Sequence, residues 1–344
     1  MKRLRPKNLR VLALMHPSLL PPESLDGLTE KEAYAIKTEY DIVTTLRRLG
    51  HDVQVLGVQD ELMPIRSAVT DWKPQIVFNL LEEFHGISEF DQHVVAFLEL
   101  LQVCYTGCNP RGMVLARGKA LSKKLVTYHR IRVPAFTVFP RGRKARPTRG
   151  LRFPLIVKSL TEESSNGISQ ASIVDTPEKL EERVAFIHKN IGTDAIAEQY
   201  IEGREIYVGA IGNKRVKVLP IWELEFSNLS PGSAAIATAC VKHNPVYQRK
   251  HGINQHPAKN LSAALQSQIV RTTRRIFKIL ELDGYARIDY RLAADGTLYF
   301  LEANPNPEIA EMEEFASAAK VAGFPYSQLV QKIVNLGLRR GMGS

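Results

Sequence analysis

The sequence of 344 residues predicts an α/β domain on a parallel sheet, followed by an α+β body of one or two lobes. Three observations carry this reading. Strand-like and helical segments alternate over the first third, which implies a parallel sheet covered by helices. Beyond about residue 150 strand-like runs dominate, and helices gather on antiparallel-looking hairpins. The length exceeds one domain of ~100–200 residues, and 44% hydrophobic with 24% charged residues supply an ordinary globular core.

Leu9–Met15 (LRVLALM) reads as the first strand. Thr29-x-x-Glu32 fits a capping box. Ile36, Tyr40, Val43 and Leu46 then recur at helical spacing up to Gly50, a natural helix stop. Val53–Val58 and Ile76–Leu81 read as the next strands, with Trp72-Lys73-Pro74 as a break between them. Glu89–Leu101 reads as a helix and Val103–Tyr105 as a short fourth strand. Asn109-Pro110 opens a helix running to about Arg130. Strand patterns follow at Pro154–Lys158, Gln170–Val174, Ala195–Ile201, Glu205–Ile211, Val216–Glu223, Gly284–Arg291 and Thr297–Ala303. Helices are expected at about 177–190, 261–281 and 326–338.

The formal charge of +10 raises the question of nucleic acid. Five basic residues lie in 1–10, and six more (Arg141, Arg143, Lys144, Arg146, Arg149, Arg152) in 141–152, with no acid in either stretch. The remaining 35 Lys and Arg face 36 Asp and Glu, so the excess sits in two short segments. Neither has a recognition module or interleaved aromatics, which argues against nucleic-acid binding. No apolar run approaches the ~20 residues of a membrane span, and Val11–Met15 is too short for a signal peptide. Cys104, Cys108 and Cys240 show no disulfide or zinc spacing; a cytoplasmic protein is expected.

The stretch Gly284–Pro307 (GYARIDYRLAADGTLYFLEANPNP) is the most informative. Asp295-Gly296 between alternating runs signals a hairpin. A two-residue turn there places Asp289 opposite Glu302 and Arg287 opposite Asn304 on one face, with Ile288–Ala303 and Tyr290–Leu301 on the other. Directly opposed carboxylates repel unless a cation intervenes. Asp289, Glu302 and Asn304 offer hard oxygen ligands, which suit Mg2+. The plainer alternative is a solvated face on which Arg287 or Arg291 pairs with the acids. Upstream, a strand ends in Lys158 and runs into Ser159–Gly167, a small, hydroxyl-rich loop able to fold N–H groups around phosphates. Gly112–Ala120 has the wrong spacing for a P-loop, and no GxGxxG follows the first strand.

These segments, with EQYIEGREIYVGAIG and FNLLEEFHG…LELLQVCYTGCN, resemble the ATP-grasp superfamily, and within it the D-alanine–D-alanine ligases, from about Ile76 to Leu338. The resemblance implies an N-terminal Rossmann-like (pre-ATP-grasp) domain over 1–110. A two-lobed ATP-grasp fold follows, with a central lobe over 111–194 and a C-terminal lobe over 195–344 holding the Mg2+, ATP and substrate sites. It implies ATP between the lobes, with Lys119 and Lys158 on its phosphates. Glu198, Gln199, Tyr200 and Ile201 would meet adenine and Glu205 the ribose. Ser164, Ser165 and Gly167 would belong to the phosphate-covering loop, with Ser165 among the catalytic residues. Asp289, Glu302 and Asn304 would bind two Mg2+, or Mn2+, and Arg287 would stabilise an acyl phosphate. His85, and either Lys242 or Lys250, are further candidates by the same resemblance.

The implied reaction is ATP-dependent ligation of a small-molecule carboxylate to an amine through an acyl phosphate, in an enzyme able to form a homodimer. The alternatives are an ATP-grasp enzyme with a non-amine acceptor, or a non-catalytic ATP-binding partner protein. Two segments depart from the family pattern. His16–Glu23 is proline-rich where the family holds its first amino acid, and Pro305–Glu311 replaces a small, hydroxyl-bearing segment at the second. Glu308 and Glu311, with Glu313 and Glu314 close by, lead to the expectation of a cationic amine or a larger amino compound as nucleophile, with D-alanine a poor second substrate; a helix first turn is the alternative.

Overall fold

Strand β1 (Arg10–Met15) is the centre of a three-stranded sheet in the order β2–β1–β3, with β2 at Asp52–Gly57 and β3 at Ile76–Asn79. Both pairings are parallel. The computed structural model describes residues 8–143, 150–162, 167–228, 234–238, 241 and 245–341. Helices α1 (Glu30–Ala35) and α2 (Lys37–Arg48) join β1 to β2, and α3 (Met63–Ser67) precedes β3. The capping box forms: the Glu32 carboxylate accepts from the Thr29 N–H at 2.8 Å, and the Thr29 hydroxyl accepts from the Glu32 N–H. Leu12 and Leu14 enter one core, Val11, Ala13 and Met15 another. A strand buried on both faces needs an unbroken apolar run, which Val11–Met15 (VLALM) supplies. The expected fourth strand shrinks to one parallel bridge, Tyr105 with Val77.

Helices α4 (Asp91–Leu100), α5 (Pro110–Arg117) and α6 (Lys119–Tyr128) come next. Gly118 is extended (φ −64°, ψ 90°) and divides into two the single helix expected from 110 to 130. A four-stranded antiparallel sheet follows in the order β4–β7–β5–β6, with β4 at Phe136–Phe139, β5 at Leu155–Ser159, β6 at Ile173–Val174 and β7 at Ala195–Gln199. Leu180 and Val184 of α7 (Pro177–Phe186) pack on Leu155, Val157 and Ala197. The boundary between 194 and 195 therefore has to move. Ala195–Gln199 hydrogen-bonds to β4 and β5, so the central lobe runs through β7.

The second antiparallel sheet has the order β10–β9–β8–β11–β12, with β8 at Arg204–Ile211, β9 at Lys217–Phe226, β10 at Ile253–Pro257, β11 at Tyr285–Leu292 and β12 at Leu298–Pro305. Helix α8 (Pro245–His251) leads into β10. Ile206, Val208, Ile288 and Tyr290 share a core with Ile269, Ile276 and Phe277 of α9 (Ala263–Ile279). The opposite face, with Glu205, Arg287, Asp289 and Arg291, is polar. Helices α10 (Glu314–Val321) and α11 (Tyr326–Gly341) end the chain. Leu329, Val330 and Ile333 of α11 join Ile42, Val43 and Leu46 of α2 in one core, so the last helix completes the first domain. Among the described residues no helix is long and apolar enough to cross a membrane.

Candidate active site

The β11–β12 hairpin sets Arg287 opposite Asn304, Ile288 opposite Ala303 and Asp289 opposite Glu302, the register expected at the site. Its turn is not the expected one. The Ala293 N–H donates to the Thr297 carbonyl at 2.9 Å and Leu292 pairs with Leu298, which leaves the three residues 294–296 in the loop. Gly296 takes the left-handed conformation, φ +81°, that such a loop favours there. The odd loop shifts the pairing by one, and a bulge beside Asp289 shifts it back. Tyr290 therefore faces Phe300, not Leu301. Leu301 is the extra residue of the bulge, and its carbonyl accepts a hydrogen bond from Lys123 Nζ.

Asp289, Glu302 and Asn304 line a cleft together with Lys119, Lys158 and Glu205. The cleft holds about 730 Å³ of empty space, part of it open to solvent. Arg287 donates from Nε to Asp289 Oδ1 (2.7 Å) and from Nη2 to Oδ2 (3.0 Å), and Asn304 Nδ2 donates to Oδ2 at 3.0 Å. Arg287 Nη1 reaches Glu314, and the guanidinium lies 4.7 Å from the Tyr207 ring centre. Burial opposes its charge, but Asp289 and Glu314 outweigh burial and push its pKa further up. Among the described residues no three His, Cys, Asp or Glu side chains converge as a metal site. Two carboxylates and an amide nevertheless fit Mg2+, which takes few protein oxygens and fills its shell with phosphate and water oxygens.

Lys158 and Glu198 lie on paired strands, where Ile156 faces Glu198 and Lys158 faces Ile196. Glu198 is 1% exposed, with Oε2 at 3.5 Å from Lys158 Nζ and Oε1 at 3.4 Å from Lys123 Nζ. Burial pushes the Glu198 carboxyl up, but the two ammoniums outweigh it and hold its pKa below the usual value. Burial likewise opposes charge on Lys158, and Glu198, Glu302 and Glu205 more than compensate, raising its pKa. Sequence reading missed Lys123. The signal was there: it lies one turn after Lys119, on the same face of α6. Lys119 itself is buried and donates to the Glu162 carbonyl at 2.6 Å.

Glu205 lines the cleft but is engaged, accepting from Tyr207 Oη at 2.8 Å and pairing with Arg291 Nη2 at 3.0 Å. Arg291, on the same strand face as Arg287 and Asp289, was read only as a partner for the acids across the hairpin. Gln199, Tyr200 and Ile201 are half-buried and do not line the cleft. The N–H groups of Gln199 and Tyr200 donate to the Ala135 and Pro154 carbonyls at 2.8 and 2.9 Å. Gly167 has φ +71°, and its carbonyl accepts from Arg183. Ser164, Ser165, Lys242, Lys144, Arg146 and Arg149 lie outside the described residues. Lys250 and His85 are exposed, and neither lines the cleft.

The acidic segment is stitched to the first domain. Lys37 of α2 pairs with Glu308 at 2.9 Å and also with Glu313, while the Glu311 N–H donates to Asp41 Oδ2 at 2.8 Å. Glu314 opens α10 and holds Arg287. A second, smaller recess is lined by Tyr207, Leu224, Val241, Gln255, Arg287, Glu308, Glu313 and Glu314. Arg287 is the border between the two, lining the recess while clamping Asp289 of the cleft.

Residues 124–335 match the family model described as D-ala D-ala ligase C-terminus. That span covers more than half of the chain. The chain belongs to the D-alanine–D-alanine ligase family. It is thus an ATP-dependent carbon–nitrogen ligase of ATP-grasp fold by family. An uncharacterized protein, y4sG, of Sinorhizobium fredii is 34% identical over 312 residues, covering 88% of each chain. A D-alanine–D-alanine ligase of Aquifex aeolicus is 27% identical over 310 residues, covering 90% of this chain and 98% of its own. Among solved structures, the D-alanine–D-alanine ligase of Bacillus anthracis complexed with ATP has a TM-score of 0.75 at 21% identity, covering 97% of this chain and 99% of its own. The fold shared with that ligase is the ATP-grasp arrangement that the resemblance implied.

Proposed function

We propose that the protein joins a small carboxylic acid to an amino compound at the expense of ATP, by way of an acyl phosphate. The observation that carries this reading is the position of Arg287, which clamps Asp289 of a cleft lined by lysines and hard oxygen donors and itself lines a small neighbouring recess. Lys119 and Lys158 would neutralise the phosphates, and Lys158 is kept charged for this by Glu198. Asp289, Glu302 and Asn304 would hold Mg2+, which when bound supplies positive charge to the transferring phosphoryl group. Arg287 would meet the oxyanion that develops at the activated carboxyl group; losing one preorganised donor of this kind costs on the order of 10²–10³ in rate.

The recess modifies the substrate expectation. Glu308 and Glu313 are spent on Lys37, and Glu314 on Arg287. Burial and Glu308 push the Glu313 carboxyl up to about 7, which removes much of the remaining negative charge near neutral pH. All three acids are thus paired with Lys37 or Arg287, and none is left free to attract a cation by itself. This favours an amino compound over a simple cationic amine, the two nucleophiles left open by the acids alone. The test is an ADP-release screen with D- and L-amino acids, short peptides and simple amines, with mass detection of the product. An amide product with ADP formed in equal amount is expected; ATP turnover with no carbon–nitrogen product for any pair would overturn the reading.

A further inference from the structure

We infer that a second anion site lies outside the nucleotide cleft, in an arginine-lined recess between α9, the segment after α6 and the β11–β12 turn. The recess measures about 480 Å³ and is lined by Arg130, Arg132, Arg271, Arg275, Asp295 and Thr297, among others. Helix α9 carries Arg271, Arg274, Arg275 and Lys278 and no acid at all. The segment after α6 contributes the other two guanidiniums, with Arg130 in the left-handed conformation at φ +59°. The charge is invisible in the sequence, because these residues belong to segments about 140 apart and neither is a basic run.

All four arginines are exposed, and among the described residues none makes a close ion pair with a carboxylate. The one acid that acts on them is Asp295, whose charge Arg132 stabilises from beyond contact distance; their hydrogen-bond partners are neutral. Arg275 donates to the His129 carbonyl at 2.7 Å and Arg132 to the Thr297 hydroxyl at 3.3 Å. Asp295 is held mainly by its own turn, through the Thr297 N–H at 2.8 Å, and offsets only part of the charge of one arginine, Arg132. Four like charges around one hollow repel each other, and an anion placed among them relieves that repulsion. Guanidinium forks match phosphate oxygens in pairs. The volume falls within the ~300–1,000 Å³ of small-molecule sites. A concave site of this size fits a compact phosphate-bearing anion; a nucleic-acid surface would need an extended basic track. The Arg132 carbonyl accepts from the Phe300 N–H at 2.9 Å, so the recess is built onto the strand that carries Glu302.

The probe is inorganic pyrophosphate, titrated calorimetrically without Mg2+ into the full chain, into Arg271→Gln/Arg275→Gln and into Lys158→Ala. Thermal unfolding of each variant checks that the two surface arginine changes and the loss of Lys158, the partner of buried Glu198, leave the fold intact. The recess site should weaken about tenfold or more in the double arginine variant, the scale of one lost charge-assisted contact, and persist in Lys158→Ala. Binding unchanged in the arginine variant, or lost only in Lys158→Ala, would overturn the proposal by leaving the cleft as the sole anion site. A 20-mer oligonucleotide binding through these arginines while pyrophosphate does not would overturn it in favour of nucleic acid. The outcome is independent of the ligase reading, since no turnover is measured.

Discussion

Asp289 and Glu302 face each other across β11 and β12 because two irregularities cancel, a three-residue turn and a bulge at Leu301. The bulge has a second consequence. It turns the Leu301 carbonyl to Lys123, which also pairs with Glu198. The hairpin holding the proposed metal ligands is thereby tied to the strand beside Lys158. One buried ammonium links the two lobes.

Lys123 should therefore be a structural keystone of the cleft. Removing one partner of a buried pair strands the other charge, at a cost of about 3–5 kcal/mol. Lys123→Met should lower stability on that scale in urea unfolding, and adding Glu198→Gln should recover part of the loss. Equal stability of Lys123→Met and the parent chain would show that Lys158 alone compensates Glu198.

Lys158→Ala should weaken ATP binding, since it deletes a charge at the cleft wall, while Lys123 remains to pair with Glu198. Calorimetry with ATP and Mg2+ reads the change directly. Unchanged affinity would leave Lys158 as a counter-ion for Glu198 and nothing more.

Glu39 of α2 supplies a pH prediction. Burial, with Glu82 and Glu308 nearby, raises its carboxyl from 4.5 to about 7. Between those values the folded chain holds more of this proton than the unfolded chain, so this group's contribution to stability falls as pH rises from 4.5 to 7. Above 7 the full cost is present, up to about 3 kcal/mol at 1.36 kcal/mol per pKa unit. Glu39→Gln should be more stable than the parent at pH 8 and nearly equal to it at pH 4.5. Urea midpoints at the two pH values check this, and a difference independent of pH would contradict it.

Much of the fold and site was legible because local patterns carried it. The apolar run of β1, the Thr29–Glu32 box and the alternation through Arg287–Arg291 each fix one element on chemical grounds. The register at Asp289 came out right although the turn was assigned one residue too short, since only tertiary packing reveals the compensating bulge. Lys123 escaped because a lysine on a helix face looks solvated until the neighbouring β12 is known. The lobe boundary was misplaced because strand patterning does not say which sheet a strand joins; β7 pairs backwards with β4 and β5. Likewise the apolar stripe of α11 does not name its partner, which is α2, far earlier in the chain.

The most direct test of the central claim, that the hairpin carboxylates serve a metal–nucleotide centre, is ADP formation by Glu302→Gln. The substitution keeps the size and hydrogen-bonding reach of the side chain and removes only its charge. With an amino-acid mixture, ATP and Mg2+, the parent chain should release ADP and lose that activity in EDTA. The variant should release ADP at no more than about a hundredth of the parent rate, with an unchanged unfolding midpoint. Full ADP release by Glu302→Gln, or by the parent chain in EDTA, would contradict the account.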